Sequence, residues 1–270
     1  MRKRHQPPLT RHERRTLERR DRDPRERPSA ARARAGRPAW QSPLALVLMA
    51  ALAIALVVIL VNQKPSASAG KPLTPPVSYA GATVRDQSLG SATAPVVLAV
   101  YSDFQCPFCG QFVREQFANL KLDFVDPGIL RLEAHDIDVL GQGADDASLA
   151  LAVGARCAAA QGRYWPFHDY VFWNQQPENS GSYSTEYIAS LATAAGLDMT
   201  TWKDCITGSA PRAAVISETS AAHALGVSST PTISLNGGAM VPGVPVAATL
   251  VDQIRQLAAA AASPATSATP

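Results

Sequence analysis

An uninterrupted apolar run divides this chain and limits how it can fold. All 18 residues from Leu44 to Val61 are apolar, and as an α-helix they would extend about 27 Å, close to the hydrocarbon thickness of a bilayer. An Arg-rich block precedes the run, and a stretch containing Pro and Ser follows it. Neither neighbour could bury the run as a core helix. The sequence therefore predicts a single transmembrane helix over residues 43–62.

The charges on the two sides of this run are unequal. Residues 1–42 hold 14 Lys and Arg against 5 Asp and Glu, and the rest of the chain holds 11 against 17. Because basic flanks stay on the cytoplasmic side, we expect a cytoplasmic N-terminus and an extracytoplasmic C-terminal domain. The net negative charge after residue 42 disfavours nucleic-acid binding by that domain. The basic arm itself mixes Arg with Pro, Asp and Glu, which predicts a disordered segment.

Composition also predicts how the remaining chain is organised. Pro and Ser over residues 63–82 indicate an extended linker, residues 83–258 have the size of one domain, and residues 259–270 indicate a disordered tail. An A-x-A pattern ending at Ala69 is typical of a signal-peptidase site, but the apolar run is longer than that of an ordinary secretory signal. An uncleaved signal anchor is therefore preferred, and cleavage near Ala69 stays open.

The pattern of apolar residues within the domain predicts an α/β fold. Val96–Tyr101 is a short apolar run with β-branched residues and is interpreted as a buried strand. Ile129–Ala134, after Pro127-Gly128, and Thr232–Leu235, after Thr230-Pro231, are two further strand candidates. A long helical region, about residues 145–206, separates the second strand from the third. A C-terminal helix is expected to bury one apolar face, formed by Val246, Leu250, Ile254 and Leu257.

Cys106 and Cys109 form a CxxC motif at the junction between the first of these strands and a helix. Free N–H groups at a helix N-terminus stabilise a thiolate, so the pKa of Cys106 should be lowered. Cys109 shares a helix face with Val113 and Phe117 and is expected to be the sheltered thiol. An accessible thiol beside a buried one is the arrangement that disulfide exchange requires.

Half of a zinc site would show the same CxxC spacing. Zinc needs a second cysteine pair or nearby His ligands, whereas Cys157 and Cys205 are single cysteines far apart in the sequence. We therefore expect no metal ion. The sequence also contains no phosphate-binding Gly loop and no nucleotide fingerprint, so no cofactor is expected.

Four segments carry the pattern of a known family. They are YSDFQCPFCGQF, CAAAQGRYWPFHDYVFWNQ, AAGLDMTTWKDCI and ALGVSSTPTISLNG. In this order, between about Val96 and Leu257, they resemble the DsbA-like family of thioredoxin-fold proteins, in the membrane-anchored or secreted bacterial branch with a second cysteine pair. The resemblance implies a thioredoxin-like fold with a helical insertion and thiol–disulfide oxidoreductase activity on exported proteins.

The resemblance also assigns roles to residues of the site. By position it makes Cys106 the nucleophile and Cys109 the resolving cysteine. Some relatives carry a buried acid six residues before the first cysteine, where this chain has Val100. Asp103 is the nearest carboxylate and could simply order the loop, in which case proton transfer from Cys109 would use water. The residues that the resemblance places around the pair are Pro107, Phe108, Thr230 and Pro231, the last as a cis-proline.

Two further pairs of residues, Cys157 with Cys205 and His168 with Asp169, could carry chemistry. Cys157 faces inward on its helix and Cys205 shares a helix face with Trp202, and in an extracytoplasmic domain the two are expected to form a structural disulfide. A second redox centre is the alternative. His168 and Asp169 are adjacent, and neighbours in sequence on a helix do not face each other. Packing and surface polarity are therefore expected for them rather than catalysis.

The leading functional hypothesis is a membrane-tethered oxidase that donates its disulfide to reduced exported proteins. A membrane quinone-coupled partner would then reoxidise it. A reductase or isomerase of the same fold is the alternative within the same chemistry, because CxxC potentials span a wide range. A non-catalytic module that binds exported chains is the alternative from a different class. The intact CxxC and the Thr230-Pro231 pair argue against that module.

Overall fold

The computed structural model describes residues 43–62, 71–142 and 146–263. Its first helix, α1 (Pro43–Asn62), covers the apolar run, with side chains described for residues 47–56. Among the residues that the structure describes, no helix is both long and apolar enough to cross a membrane. The predicted span reaches beyond those side chains and stays a prediction.

The chain divides after Leu60 into two compact units. The predicted basic arm, residues 63–70 of the predicted linker and residues 264–270 of the predicted tail lie outside the described residues. All elements that follow α1 belong to the second unit.

A six-stranded mixed sheet forms the centre of the second unit. Its spatial order is β1-β2-β4-β3-β5-β6, in which β3 and β4 are parallel and every other neighbouring pair is antiparallel. Parallel strands need a crossover connection, which the helix after β3 supplies. The strands are β1 (Val84–Arg85), β2 (Ser88–Leu89), β3 (Val96–Ser102), β4 (Leu130–Asp136), β5 (Thr232–Leu235) and β6 (Val241–Pro242).

A continuous helical segment connects β3 to β4. It begins as α2 (Pro107–Phe112), passes through a π-helical turn (Val113–Phe117) and α3 (Ala118–Leu120), and ends in a second π-helical turn (Lys121–Val125). Proline suits the first helical position because its missing N–H would have no partner there. The segment packs its apolar side chains into the core; these are Phe112, Val113, Phe117, Leu120 and Phe124.

Four helices are inserted between β4 and the later strands, and a fifth leads back to β5. Side chains cap three of the four at their N-termini: Asp146 accepts from the Leu149 N–H (2.9 Å), Ser184 from Tyr187 (3.2 Å) and Asp198 from Thr201 (2.8 Å). The inserted helices are α4 (Ala147–Ala159), α5 (Tyr164–Trp173), α6 (Thr185–Ala194) and α7 (Met199–Ile206), followed by α8 (Ser209–Ala224) and, after β6, α9 (Ala247–Ala262).

The insertion and the sheet share one hydrophobic core. The ring of Phe104, in the loop after β3, lies 5.0 Å from the ring of Phe172 in α5. Trp165 and Trp202 are each about 1% exposed. The loop that precedes α2 therefore packs directly against the insertion.

The expected α/β fold with a helical insertion is confirmed, and the three predicted strands lie within two residues of the observed ones. The β1–β2 hairpin was not predicted, because two-residue strands are too short to show a periodic pattern. One prediction about α9 was wrong. Val246 is its N-cap residue and is 70% exposed, whereas Leu250 and Ile254 are buried as expected.

Residues 71–82, the second part of the predicted linker, lie against the folded domain. The Leu73 backbone exchanges two hydrogen bonds with the Asn174 side chain, at 2.7 and 2.9 Å. The Tyr79 hydroxyl donates to the carboxylate of Asp169 at 2.5 Å. This segment is thereby fixed to the end and the middle of α5.

Candidate active site

Cys106 lies where the first central strand passes into the first helix. β3 ends at Ser102, a short loop follows, and Cys106 is the N-cap residue of α2 with extended backbone angles. Its N–H donates to the Asp103 carbonyl at 3.0 Å, and its own carbonyl accepts from the Gly110 N–H at 3.1 Å. Pro107 takes the first helical position. The following N–H groups are consequently available to the sulfur of Cys106.

The environment of Cys106 favours the thiolate. Its pKa falls from an ordinary value of 9.0 to about 6, chiefly because the Cys109 thiol donates to it. The Thr230 hydroxyl and the N–H groups of Cys109 and Phe108 act in the same direction, against the opposing effect of burial. As a thiol, Cys106 donates to the Thr230 carbonyl at a sulfur–oxygen distance of 3.2 Å.

Cys109 has the opposite character. It is fully buried, and burial together with the neighbouring Cys106 holds the pKa of its thiol well above the ordinary value. Cys106 was expected to be accessible, but it is only 4% exposed. The two thiols thus differ mainly in their electrostatic surroundings, while Pro107 and Phe108 between them are exposed.

Strand pairing brings Thr230 and Pro231 to the cysteines. β5 runs antiparallel to β3 and pairs Thr232 with Tyr101, so the start of β5 meets the end of β3. The two residues immediately before β5 therefore lie beside the N-terminus of α2. The peptide bond between Thr230 and Pro231 is cis, and Pro231 is buried.

Asp103 orders the loop that leads into Cys106. One carboxylate oxygen accepts from the Gln105 N–H (2.8 Å) and the Ser148 hydroxyl (2.7 Å). The other accepts from the N–H groups of Val139 (3.0 Å) and Leu140 (2.9 Å). Burial raises the pKa of this carboxyl, and the four hydrogen bonds oppose that shift. Their geometry favours the loop-ordering interpretation over a role in proton transfer.

Gln175 also contacts this loop and was missed in the sequence. Its side-chain nitrogen donates to the carbonyls of Phe104 (2.9 Å) and Cys106 (2.8 Å). Gln175 is the last residue of one of the four segments that carry the family resemblance, but nothing in that segment indicates a contact with a motif 69 positions earlier. Only the packing of the insertion on α2 brings these groups together.

Comparison with known proteins decides the family. The family model described as thioredoxin matches residues 82–245, more than half of the chain. The probable disulfide bond formation protein D of Bacillus cereus is 24% identical over 159 residues, which cover 58% of this chain and 72% of that protein. The chain belongs to the DsbA-like thiol–disulfide oxidoreductase family.

Solved structures share the DsbA-like fold. Oxidised BdbD from Bacillus subtilis aligns with a TM-score of 0.58 and 19% identity, covering 70% of this chain and 100% of that one. Oxidised Mtb DsbA aligns with a TM-score of 0.53 and 25% identity, covering 64% and 92%. The Na⁺/H⁺ antiporter NhaA 3 of Salinispora tropica is 27% identical over 155 residues, but this chain spans only 22% of that protein.

The second cysteine pair of this DsbA-like chain forms a disulfide. Cys157 in α4 and Cys205 in α7 are bonded, with their Cα atoms 5.8 Å apart. Next to the bond, the Trp202 indole donates to the Gly154 carbonyl at 3.0 Å. The disulfide therefore joins two helices of the insertion and lies outside the hydrogen bonds of the CxxC motif. Among the described residues, no three His, Cys, Asp or Glu side chains could hold a metal ion together.

The prediction that His168 and Asp169 do not face each other was wrong. His168 Nδ1 lies 2.9 Å from an Asp169 carboxylate oxygen, and the two side chains are 2% and 1% exposed. The His168 ring also stacks on Phe117 at 5.5 Å. Both polar groups are turned into the core, where each satisfies the other and Tyr79 supplies a further donor. They are packing groups of the DsbA-like core, without a surface role.

Proposed function

We propose that this protein is a membrane-tethered oxidase that forms disulfide bonds in exported proteins. The observation that carries the proposal is the unequal pair in one helix turn: Cys106 with a pKa near 6 and Cys109 with a raised pKa. Such a pair stabilises the reduced state, because the Cys106 thiolate is favoured by its surroundings. A protein whose reduced state is stabilised tends to give its disulfide away.

The reaction starts from a disulfide between Cys106 and Cys109. A substrate thiolate attacks the Cys106 sulfur, a mixed disulfide forms, and Cys109 leaves and takes up a proton. A second substrate thiolate then attacks the substrate sulfur of the mixed disulfide, and Cys106 leaves as a thiolate. The substrate loses two electrons, which the cysteine pair receives. A thiol of low pKa is a good leaving group, so the second step is fast at Cys106.

The Thr230–Pro231 loop supports the mixed-disulfide step. The Thr230 carbonyl lies 3.2 Å from the sulfur that the substrate attacks. Thr230 is only partly buried, and Phe108 beside the cysteines is 60% exposed. An extended substrate segment could pair with the Thr230 backbone while its apolar side chains contact Phe108. These features suit unfolded, reduced chains as substrates.

The membrane tether and the orientation belong to the same proposal. The apolar run over residues 44–61 would anchor the protein, with the basic arm on the cytoplasmic side. The structural disulfide between Cys157 and Cys205 supports an oxidising compartment for the folded domain. Each turnover leaves Cys106 and Cys109 reduced, so an oxidant is required. A quinone-coupled membrane protein fits, because tethering would raise its effective concentration.

An oxidation assay tests the proposal with the full chain in detergent micelles. We expect the oxidised wild type to restore activity to reduced, unfolded ribonuclease, and Cys106→Ser to have none. Cys109→Ser cannot form the Cys106–Cys109 disulfide and should also have no oxidase activity. Incubated instead with disulfide-scrambled ribonuclease, its Cys106 thiolate should attack a substrate disulfide and displace a substrate thiolate. The resulting mixed disulfide should persist as a reductant-sensitive band on a gel, because no second enzyme thiol is present to resolve it. A wild type that reduces disulfides but forms none would favour a reductase. Equal binding of reduced chains by wild type and Cys106→Ser, without turnover, would favour a binding module.

A further inference from the structure

The carboxamide of Gln175 connects the helical insertion to the turn that holds the reactive cysteine. Gln175 lies two residues beyond the last residue of α5. Its nitrogen donates to the Cys106 carbonyl at 2.8 Å and to the Phe104 carbonyl at 2.9 Å. One side chain from the insertion thereby holds both the N-cap of α2 and the loop before it.

The Cys106 carbonyl has a second role in the same turn. It accepts the first intrahelical hydrogen bond of α2, from the Gly110 N–H at 3.1 Å. This bond belongs to the first helical turn, and the Phe108 and Cys109 N–H groups in that turn help to lower the pKa of Cys106. Gln175 therefore contacts the same carbonyl from which this helical turn begins.

Gly110 shows how closely the two elements approach. A Cβ atom at this position would overlap Gln175 Oε1 and would lie 2.6 Å from Arg114 Nη1. Arg114 in turn donates to the Phe172 carbonyl near the end of α5, at 2.6 Å. The missing side chain at Gly110 leaves the space that the Gln175 carboxamide occupies next to α2.

We propose that Gln175 is a positioning residue for Cys106, holding the first turn of α2 so that its N–H groups face the sulfur. The proposal deepens the proposed function and rests on it for its biological meaning. Gln175 does not touch the reacting sulfur. It acts through the Cys106 backbone and makes the helical insertion part of the catalytic geometry.

The Cys106 titration in the full-length, reduced protein tests this role. In Gln175→Ala, two carbonyls lose a donor and the turn is less restrained. We expect the apparent pKa of Cys106 to rise by roughly 0.5–1 unit, the size expected from one or two net hydrogen bonds. The measurement is the pH dependence of iodoacetamide alkylation, with the modified cysteine identified by mass spectrometry.

The neighbouring glutamine provides a matched control. Gln176 is also half-buried, and its nitrogen donates to the Asn174 carbonyl (3.0 Å) and the Tyr187 hydroxyl (2.7 Å), both within the insertion. Gln176→Ala should lower thermal stability about as much as Gln175→Ala and leave the Cys106 titration unchanged. If Gln175→Ala titrates like the wild type, or if both variants shift the titration equally, the positioning role is refuted.

Gly110→Ala disturbs the same contact from the other side. Alanine favours a helix more than glycine does, which should offset part of the stability lost when the Gln175 hydrogen bonds are displaced. Its Cβ would displace the Gln175 carboxamide and raise the Cys106 pKa. The double variant Gln175→Ala, Gly110→Ala should show little more than the larger single shift, because both changes remove one interaction. Fully additive shifts would contradict the proposal.

The ribonuclease assay keeps the two proposals distinguishable. The alkylation titration needs no substrate, so it reports on Gln175 whether or not the protein oxidises exported chains. A wild type without oxidase activity, combined with a shifted titration in Gln175→Ala alone, would refute the proposed function and retain the positioning role.

Discussion

Two cysteines three residues apart behave differently because their nearest atoms differ. Around Cys106 there are donors: the Cys109 thiol, the Thr230 hydroxyl and two backbone N–H groups. Around Cys109 the dominant influence is burial, which penalises its charged form. The chemistry of the motif thus depends on a few hydrogen bonds to one sulfur, and a pH-dependent stability follows from them.

The first prediction concerns the stability of the reduced protein. The pKa of Cys106 is about 6 in the folded protein and 9.0 ordinarily, so the folded state binds fewer protons between these values and is stabilised as pH rises. The gain is complete near pH 9 and is lost as pH falls through about 6. As pH rises from about 6 to about 9, the free energy of unfolding of the reduced protein should increase by about 2–4 kcal/mol. The oxidised protein has no Cys106 thiol to ionise and should not show this increase. Urea unfolding of the reduced and the oxidised protein at about pH 5 and about pH 8 measures this difference. The same change in unfolding free energy with pH in both forms would contradict the prediction.

A buried carboxyl at the end of β4 has the opposite pH dependence. Asp136 is 1% exposed and accepts from the Tyr164 hydroxyl (2.8 Å) and the Gln87 amide (3.0 Å). Burial, partly opposed by His168, raises its pKa from 3.8 to about 7. The folded state therefore retains a proton that the unfolded state has lost, and stability falls as pH rises from about 4 to about 7.

The second prediction is that Asp136→Asn removes this loss. Asparagine keeps an acceptor for Tyr164, and the Gln87 amide can turn to accept from it. We expect the variant to gain roughly 1–3 kcal/mol on the wild type between about pH 4 and about pH 8. Asp252→Asn, at a side chain that is 68% exposed, removes the same charge and should change little. Equal pH profiles for wild type and Asp136→Asn would show that the carboxyl is ionised throughout.

At the level of elements, the helical insertion does more than cover the sheet. It supplies Ser148 to Asp103 at 2.7 Å and Gln175 to the turn around Cys106. Its own helices are held by the Cys157–Cys205 disulfide and by a buried aromatic core. The insertion therefore contacts the loop that leads into Cys106 through at least two side chains, Ser148 and Gln175.

The third prediction concerns that disulfide. Replacing both Cys157 and Cys205 by Ala opens a loop with a sequence separation of 48. The chain-entropy model gives a loss of about 4 kcal/mol in the free energy of unfolding, from the greater freedom of the unfolded chain. Denaturant unfolding in the absence of reductant measures it. Cys106→Ala with Cys109→Ala serves as the control and should cost less. The Cys157→Ala, Cys205→Ala variant should still oxidise ribonuclease at temperatures at which it is folded. Loss of turnover in the folded variant would indicate that Cys157 and Cys205 form a second redox centre.

At the level of the whole molecule, the chain combines a helix over its apolar run with a separate folded domain. The charge on the two sides of the run is the basis of the expected orientation. Residues 71–82 are bound to the folded domain through Leu73 and Tyr79. In the sequence, eight residues, 63–70, separate that segment from α1.

The fourth prediction tests the topology. A green fluorescent protein that folds only in the cytoplasm should be dark when fused after Pro270 and bright when fused before Met1. A phosphatase that is active only outside the cytoplasm should give the reverse pattern. Neutralising the basic residues of the arm should weaken this asymmetry, because they are the charges expected to stay inside. A bright C-terminal fusion would reverse the proposed orientation.

Features that depend on neighbours along the chain were determined by the sequence alone. A CxxC motif after a β-branched run marks a strand-to-helix junction, and Pro107 sets the first helical turn. The strand Val96–Ser102 was predictable because it contains a short, continuous apolar run, and Thr232–Leu235 because it follows Thr230-Pro231 and precedes the Asn236-Gly237 turn. The family, the fold and the two candidate cysteines follow from such local signals taken in order.

Only the tertiary structure decided what surrounds those cysteines. The contact of Gln175 with Cys106 joins positions 69 apart, and that of Cys106 with Thr230 joins positions 124 apart. The four donors to Asp103 and the burial of His168 with Asp169 likewise require the insertion to be in place. A hydrogen bond depends on distance and angle to within a few tenths of an ångström. Sequence periodicity specifies which face of an element is buried, but the partner that each buried polar atom meets is set by how the elements pack.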